Sequence, residues 1–188
     1  VTGTCLAETG NEVVCVDIDA EKVRRMQAGE VPIYEPHLDV LFERNISAGR
    51  LTFTTSLEEG LEHGDIVFLA LPTPEGEDGS ADLKYVLGVA DEIGKLISDY
   101  KVIVDKSTVP VGTSDKVRAA IAKNAQCEFD VVSNPEFLRE GFAVDDFLKP
   151  ERIVVGSNSK RATEMMQKLY KPFVRSGNPV IIMHEKFA

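Results

Sequence analysis

The sequence predicts an α/β fold of the doubly wound kind, a parallel sheet with helices on both faces. Short runs rich in valine and isoleucine, such as VVCV and KVIVD, alternate with longer stretches whose apolar residues recur three and four positions apart. That alternation is the pattern of βαβ units. Several of the runs are followed by stretches rich in proline, glycine, serine and threonine, which is turn chemistry at strand ends.

Strands are expected over residues 12–17, 51–54, 65–71, 101–105, 129–133, 152–155 and 180–183, and helices over 20–28, 37–47, 57–63, 82–98, 114–124 and 160–173. The opening VTGTCLAETG reads as the rear of a helix, with Gly10 and Asn11 in C-terminal capping positions. A parallel α/β chain normally enters such a helix from a strand through a tight glycine turn. The expectation is therefore a fragment truncated before its first strand. Residues 75–82 and 32–36 read as extended connections, and neither an internal repeat nor a low-complexity tract is present.

At 188 residues the chain fits one compact domain, with 43% hydrophobic and 28% charged residues, ordinary for a globular protein. A formal charge of -10 and a pI near 4.8 argue against nucleic acid or an anionic membrane as partner, because both are bound mainly through lysine and arginine. No apolar run approaches the length of a membrane span and no leader pattern opens the chain, so a cytoplasmic protein is expected. Cys5, Cys15 and Cys127 are widely separated among apolar neighbours, and His37, His63 and His184 are scattered. Structural thiols and no metal site are expected.

Four places at the carboxyl ends of expected strands could carry chemistry, since ligands of open parallel sheets bind outside those ends. Asp17, with Asp19 two residues on, could accept hydrogen bonds from a nucleotide ribose; the other reading is a helix cap, which fits Asp19 better. Leu71–Pro74, Lys106–Gly112 and Asn134–Gly141 follow three further strands, and ordinary turn chemistry is the alternative for each. Glu136 and Glu140 stand four apart, on one face if their segment is helical. Glu136 reads either as a general base or as an acid favouring a helix N-terminus.

VDKSTVPVGT at 104–113, NPEFLREG at 134–141, PIYEP at 32–36 and RIVVG at 152–156 together resemble the UDP-glucose 6-dehydrogenase family, across essentially the whole chain and in the family's order. The resemblance implies a Rossmann-like NAD-binding domain over 1–188, whose enzyme oxidises the C6 alcohol of a UDP-sugar to a carboxylate with two NAD molecules. Through a covalent thiohemiacetal and thioester, that chemistry also uses a cysteine, and none of the three here matches its position.

By the same resemblance Asp17 and Lys22 touch the adenosine side of NAD. Leu71, Pro72, Thr73, Pro74 and Glu75 form one cofactor loop, with Pro72 where some members have asparagine. Ser107, Thr108 and Val109 form a second loop, and the Thr108 hydroxyl also helps organise a catalytic water. Glu136 is the general base; Glu136, Phe137, Leu138, Arg139 and Glu140 contact substrate, and Glu140 also reaches the cofactor. The glycine-rich loop, the helical linker and the UDP-sugar domain are expected outside the chain, and a dimer is expected at full length.

Two other functions fit the same residues: a sibling enzyme acting on GDP-mannose or UDP-N-acetylmannosamine, and an NAD-binding module without catalysis. The isolated segment is expected to be inactive, and to aggregate or bind NAD poorly because two strands would lack a partner. Tight NAD binding by a monomeric, cooperatively melting sample would contradict that.

Overall fold

The computed structural model describes residues 1–74, 81–107, 109–110, 112–175 and 177–185. In chain order the elements are α1 (Thr2–Glu8), β1 (Val13–Val16), α2 (Ala20–Gln27), α3 (Leu38–Ser47), β2 (Leu51–Thr54), α4 (Leu57–His63), β3 (Ile66–Leu69) and α5 (Lys84–Leu96). There follow β4 (Lys101–Asp105), α6 (Thr113–Ala122), β5 (Phe129–Ser133), α7 (Ala143–Leu148), β6 (Ile153–Gly156), α8 (Lys160–Tyr170), a 3-10 turn (Lys171–Val174) and β7 (Val180–Met183). The alternation of strand and helix is that of an α/β fold. Contacts divide the chain into two compact units.

The first unit holds Val1–Gly64, Phe137–Glu151 and the short stretch from Pro172. Its sheet is β1 beside β2, parallel, with Val13 opposite Leu51 and Val16 opposite Thr54. Ala7, Val23, Met26, Phe42, Leu51 and Phe53 form its core, where the Phe42 and Phe53 rings lie 5.3 Å apart. Side-chain caps start two of its helices. The Asp19 carboxylate accepts from the Glu21 and Lys22 amides at α2, and the Ser56 hydroxyl accepts from the Glu59 amide at α4.

Asn45 is fully buried and satisfied by polar neighbours. Its amide donates to Glu8 Oε2 and to the Leu41 carbonyl, both at 2.8 Å, and its oxygen accepts from Arg50 Nε at 3.0 Å. Such a network ties α1, α3 and the turn into β2 at no cost in unpaired polar atoms.

The second unit holds Asp65–Glu136, Arg152–Lys171 and the stretch from Gly177. Its five-stranded sheet runs β3-β4-β5-β6-β7. Strands β3, β4 and β5 are parallel, and β6 and β7 are parallel to each other. Val102, Ile103, Val104, Val131, Val132 and Val155 are essentially inaccessible to solvent. These strands therefore read as continuous apolar runs, as strands covered on both faces must.

The expected strands and helices all form, with ends displaced by up to three residues, and two features differ from the expectation. Strand β6 meets β5 antiparallel, at Ser133 and Gly156, so the sheet is mixed; an antiparallel neighbour needs no crossover back to the start of β5. Helix α7 was not expected from the sequence, because its six residues are too few for a helical period to show. Residues 134–139 are not helical. Pro135 disfavours helical backbone at Asn134, and Gly141 takes a left-handed φ of 79°, so a helix starts only at Ala143.

Helices α5 and α6 are in close contact at Gly94, where an added Cβ would lie 2.3 Å from the Ile121 carbonyl oxygen. Gly88, on the same helix, has nothing within 4 Å of that point. Gly94→Ala is expected to destabilise by about 1–3 kcal/mol through overpacking, whereas Gly88→Ala is expected to stabilise by roughly 0.5–1 kcal/mol. Chemical denaturation of the two variants checks this, and equal midpoints would contradict it.

Candidate functional site

In the first unit, Asp17 emerges from β1 with its amide bonded to the Thr54 carbonyl. Its Oδ1 accepts from the Asp19 amide at 3.0 Å, and its Oδ2 is ion-paired with Lys22 Nζ. Partial burial pushes this carboxyl up, but the Lys22 hydrogen bond, the Asp19 amide and the Lys22 charge outweigh it and hold the group below its ordinary value. The two acids thus divide the work: Asp19 caps α2 and Asp17 does not. Asp17 remains ionised, with a side chain 26% exposed, and a carboxylate keeps lone pairs beyond the two already used.

The segment 137–141 also belongs to the first unit. Phe137 is exposed, as are Arg139 and Glu140, and Leu138 is half-buried. Asp146 takes the Arg139 guanidinium through Nε at 3.0 Å and Nη2 at 2.7 Å, and also accepts from its backbone amide at 3.0 Å. The Asp146 carboxyl consequently falls to about 2, and the guanidinium lies over the Phe142 ring.

Glu35 of the PIYEP stretch, 106 residues away in sequence, accepts from the Gly141 amide at 2.9 Å and the Ala143 amide at 3.3 Å. It satisfies donors at the start of α7, which has no side-chain cap of its own. An open concavity of about 600 Å³ borders Val31–His37 and Asp39; none of the candidate residues lines it.

In the second unit, three parallel strands end side by side. From β3 runs Leu71–Pro74. The Leu71 amide donates to Ser107 Oγ at 3.3 Å, and that hydroxyl lies 3.2 Å and 3.0 Å from the Leu69 and Leu71 carbonyl oxygens. Ser107 therefore ties the turn after β4 to the turn after β3. Pro72 and Thr73 continue the turn, and the Pro74 carbonyl accepts from the Asp82 amide. Val109 is half-buried, while Glu75 and Thr108 lie outside the described residues.

Beyond β4 come Asp105, 3% exposed, and Lys106, 5% exposed. Both Asp105 oxygens are buried without a hydrogen-bond partner among the described residues. Burial pushes this carboxyl up to about 6, and the Ser107 amide draws it the other way without completing a hydrogen bond. Lys106 Nζ stands 3.3 Å from Glu136 Oε2; burial pulls the ammonium down and the Glu136 charge opposes that.

Glu136 itself follows β5, with a side chain 42% exposed. Two residues earlier, buried Asn134 donates from Nδ2 to the Val154 carbonyl at 2.8 Å and accepts from the Tyr170 hydroxyl at 2.5 Å. Burial first, and the Glu136 charge second, push the Tyr170 hydroxyl up. The condition that would put Glu136 and Glu140 on one helix face is not met. The alternative for Glu136, an acid at a helix N-terminus, likewise has no helix to serve.

Asp105, Glu35 and Tyr170 were not singled out as site residues from the sequence. A buried acid after KVIV had a signal in its apolar run; the contacts of Glu35 and Tyr170 are long-range and had none. Burial pushes the thiols up, Cys5 to about 11 and Cys15 and Cys127 in the same direction, so none is an activated thiolate. Among the described residues no group of three metal-binding side chains forms, and no helix is long and apolar enough to cross a membrane.

Asp105 sets a pH dependence. Its value lies above the ordinary 3.8, so the folded state binds the proton more tightly than the unfolded chain. Stability from this group is present at low pH and is lost as pH rises between about 4 and 6. Asp105→Asn should therefore stabilise above pH 6 by up to about 3 kcal/mol and gain little near pH 4. Thermal melts of both proteins at pH 4.5 and pH 8 check this; an offset that does not change with pH counts against it.

Residues 1–174 match the model for the UDP-glucose/GDP-mannose dehydrogenase family, NAD binding domain. The UDP-glucose 6-dehydrogenase of Pseudomonas aeruginosa is 47% identical over the whole chain. Among solved structures, a UDP-glucose dehydrogenase from Pyrobaculum islandicum superposes with a TM-score of 0.93 at 40% identity over 99% of the chain, which covers 44% of that protein. GDP-mannose dehydrogenase from Pseudomonas aeruginosa superposes at 0.90 with 31% identity, again over 99% of this chain and 44% of that one. The chain spans 43% of the length of the Pseudomonas UDP-glucose enzyme.

Proposed function

Because the chain belongs to the UDP-glucose/GDP-mannose dehydrogenase family as an NAD-binding domain, we propose that it serves NAD-dependent oxidation of UDP-glucose at C6 to UDP-glucuronate. The observation that carries the reading is Glu136, a carboxylate at the end of a buried parallel strand with one oxygen engaged by a buried ammonium. Its other oxygen has no hydrogen-bond partner among the described residues. Identity of 47% to a UDP-glucose enzyme favours that sugar nucleotide.

In this reading Asp17 accepts from the adenosine ribose hydroxyls of NAD, assisted by Lys22, and its negative charge disfavours a ribose phosphate. The residues fit the cofactor, since the Asp17 carboxylate is ionised and not consumed in capping α2. Leu71–Pro74, Glu75, Ser107, Thr108 and Val109 line the cofactor's path, with Ser107 fixing the two turns to each other. NAD, when bound, supplies the hydride acceptor.

Glu136 Oε1 takes the proton of the C6 hydroxyl as the C6 hydrogen leaves with its electron pair, so a carbonyl forms without an alkoxide in solution. Once that proton has passed to solvent, the same oxygen takes a proton from the water attacking at the thioester stage, positioned with the Thr108 hydroxyl. Phe137, Leu138, Arg139 and Glu140 contact the sugar nucleotide, and Glu140 also reaches the cofactor. For Arg139 that contact competes with Asp146. No thiol of this chain is assigned as the nucleophile. We place the full-length protein in the cytoplasm as a homodimer, and its acidity argues against nucleic-acid partners.

A sibling activity on GDP-mannose is the second reading, favoured by the close superposition on that enzyme. Glu136→Gln in the full-length enzyme should lower turnover by about 10²- to 10⁴-fold while the NAD dissociation constant stays within about threefold. Unchanged turnover removes Glu136 from the mechanism. Parallel assays with UDP-glucose and GDP-mannose decide the substrate, and a preference for the latter overturns the first reading.

A further inference from the structure

Resting on the reading of Glu136 as general base, we infer that Lys106 is a positioning residue for that base, holding Glu136 Oε2 so that Oε1 is presented to the proton it removes. The Lys106 side chain is 5% exposed and its ammonium stands 3.3 Å from Oε2. A cation so buried is retained only where something compensates it, and Glu136 is a full negative charge within reach. Its backbone is fixed from both sides. β4 holds Val104 and Asp105 opposite Val132 and Ser133, the Lys106 amide donates to the Leu69 carbonyl, and the Asn134 amide donates to the Asp105 carbonyl at 2.8 Å.

The carboxylate has less support of its own. Glu136 sits in a stretch without helix or strand, its side chain is 42% exposed, and Lys106 is its one ion-pair partner among the described residues. Behind it, Asn134 is locked between Val154 and Tyr170, which fixes the chain two residues earlier but not the side chain. A carboxylate on a half-exposed stem has several rotamers of similar energy. A buried, immobile ammonium selects among them at low entropic cost, because the lysine has already been ordered by its own burial. Misplacement of a base by about 1 Å can cost roughly 10²-fold in rate.

The test uses the full-length enzyme with UDP-glucose and NAD, comparing Lys106→Met, Lys106→Arg, Glu136→Gln and the Lys106→Met/Glu136→Gln double variant. Methionine fills the apolar volume of the lysine stem without a charge, and the partner left behind, Glu136, is 42% exposed and can be solvated instead of staying a buried unpaired charge. The expected result for Lys106→Met is a fall in kcat of about 10- to 100-fold, with KM for both substrates within threefold of the parent and an unchanged melting temperature. Lys106→Arg should recover part of kcat, since it restores the cation.

In the double variant the loss should be no larger than for Glu136→Gln alone, as expected of two residues acting as one unit. A Lys106→Met loss that persists undiminished in the Glu136→Gln background, or one shared equally by Lys106→Arg, overturns the inference. Should Lys106→Met melt early, the Arg variant alone decides: wild-type-like folding with a methionine-sized loss of kcat refutes the role. A Glu136→Gln enzyme of full turnover would instead remove the underlying reading, and the two failures are distinguishable.

Discussion

Strand β4 is the constraint on which the second unit depends. It is buried along its whole length, hydrogen-bonded on one side to β3 and on the other to β5, all three running the same way. Parallel pairing delivers the ends of the three strands to one edge, and it is there that Leu71, Ser107 and Glu136 emerge. The ladder also fixes which residues cannot escape burial. Val102, Ile103 and Val104 bury at no polar cost, but the strand continues into Asp105 and Lys106, whose charges are carried into the same protected place.

Those two charges are treated differently. Lys106 meets a carboxylate; Asp105 meets no counter-charge among the described residues, and its proton affinity rises instead. A fold selected only for stability has little use for an unpaired buried acid next to a buried ammonium. Polar groups kept in such positions are commoner at working sites than in structural cores. The first unit shows the contrasting case. Asn45 is equally buried, yet each side-chain atom has a partner and links three elements, which is what a structural polar core looks like.

Most of the fold was legible in the sequence because its signals were local. The β4 and β7 runs are largely apolar stretches, β2 alternates apolar and polar residues, and the caps at Asp19 and Ser56 lie next to the helices they start. The direction of β6 was not legible, since a strand's apolar run looks the same read towards or away from its neighbour. Helix α7 was hidden by its shortness. Of the candidate site, the residue types at Asp17 and Glu136 could be picked out, and Asp19 could be read as the cap instead of Asp17 because it immediately precedes α2. The Lys106 contact could not be read, because nothing in the spacing of residues 106 and 136 specifies that two strands end side by side.

The EFLREG stretch carries no helix, and that changes what Glu136 has to do. A helix there would have paired Glu136 with Glu140 on one face and given Glu136 a structural reason to exist, as an acid opposite a helix dipole. The structure removes that reason. Proline at 135 disfavours helix at the start, the left-handed Gly141 interrupts it at the end, and Glu35 takes over the work of satisfying the amides where α7 begins. Glu136 is left with no helix to stabilise and, among the described residues, with one ion-pair partner, a lysine that is itself buried. An acid relieved of structural duty and held by a buried cation is better placed for proton transfer than one spent on a helix terminus. The same loss of helix lets Arg139 turn back onto Asp146, so any ligand that recruits this guanidinium must first compete with a bidentate carboxylate.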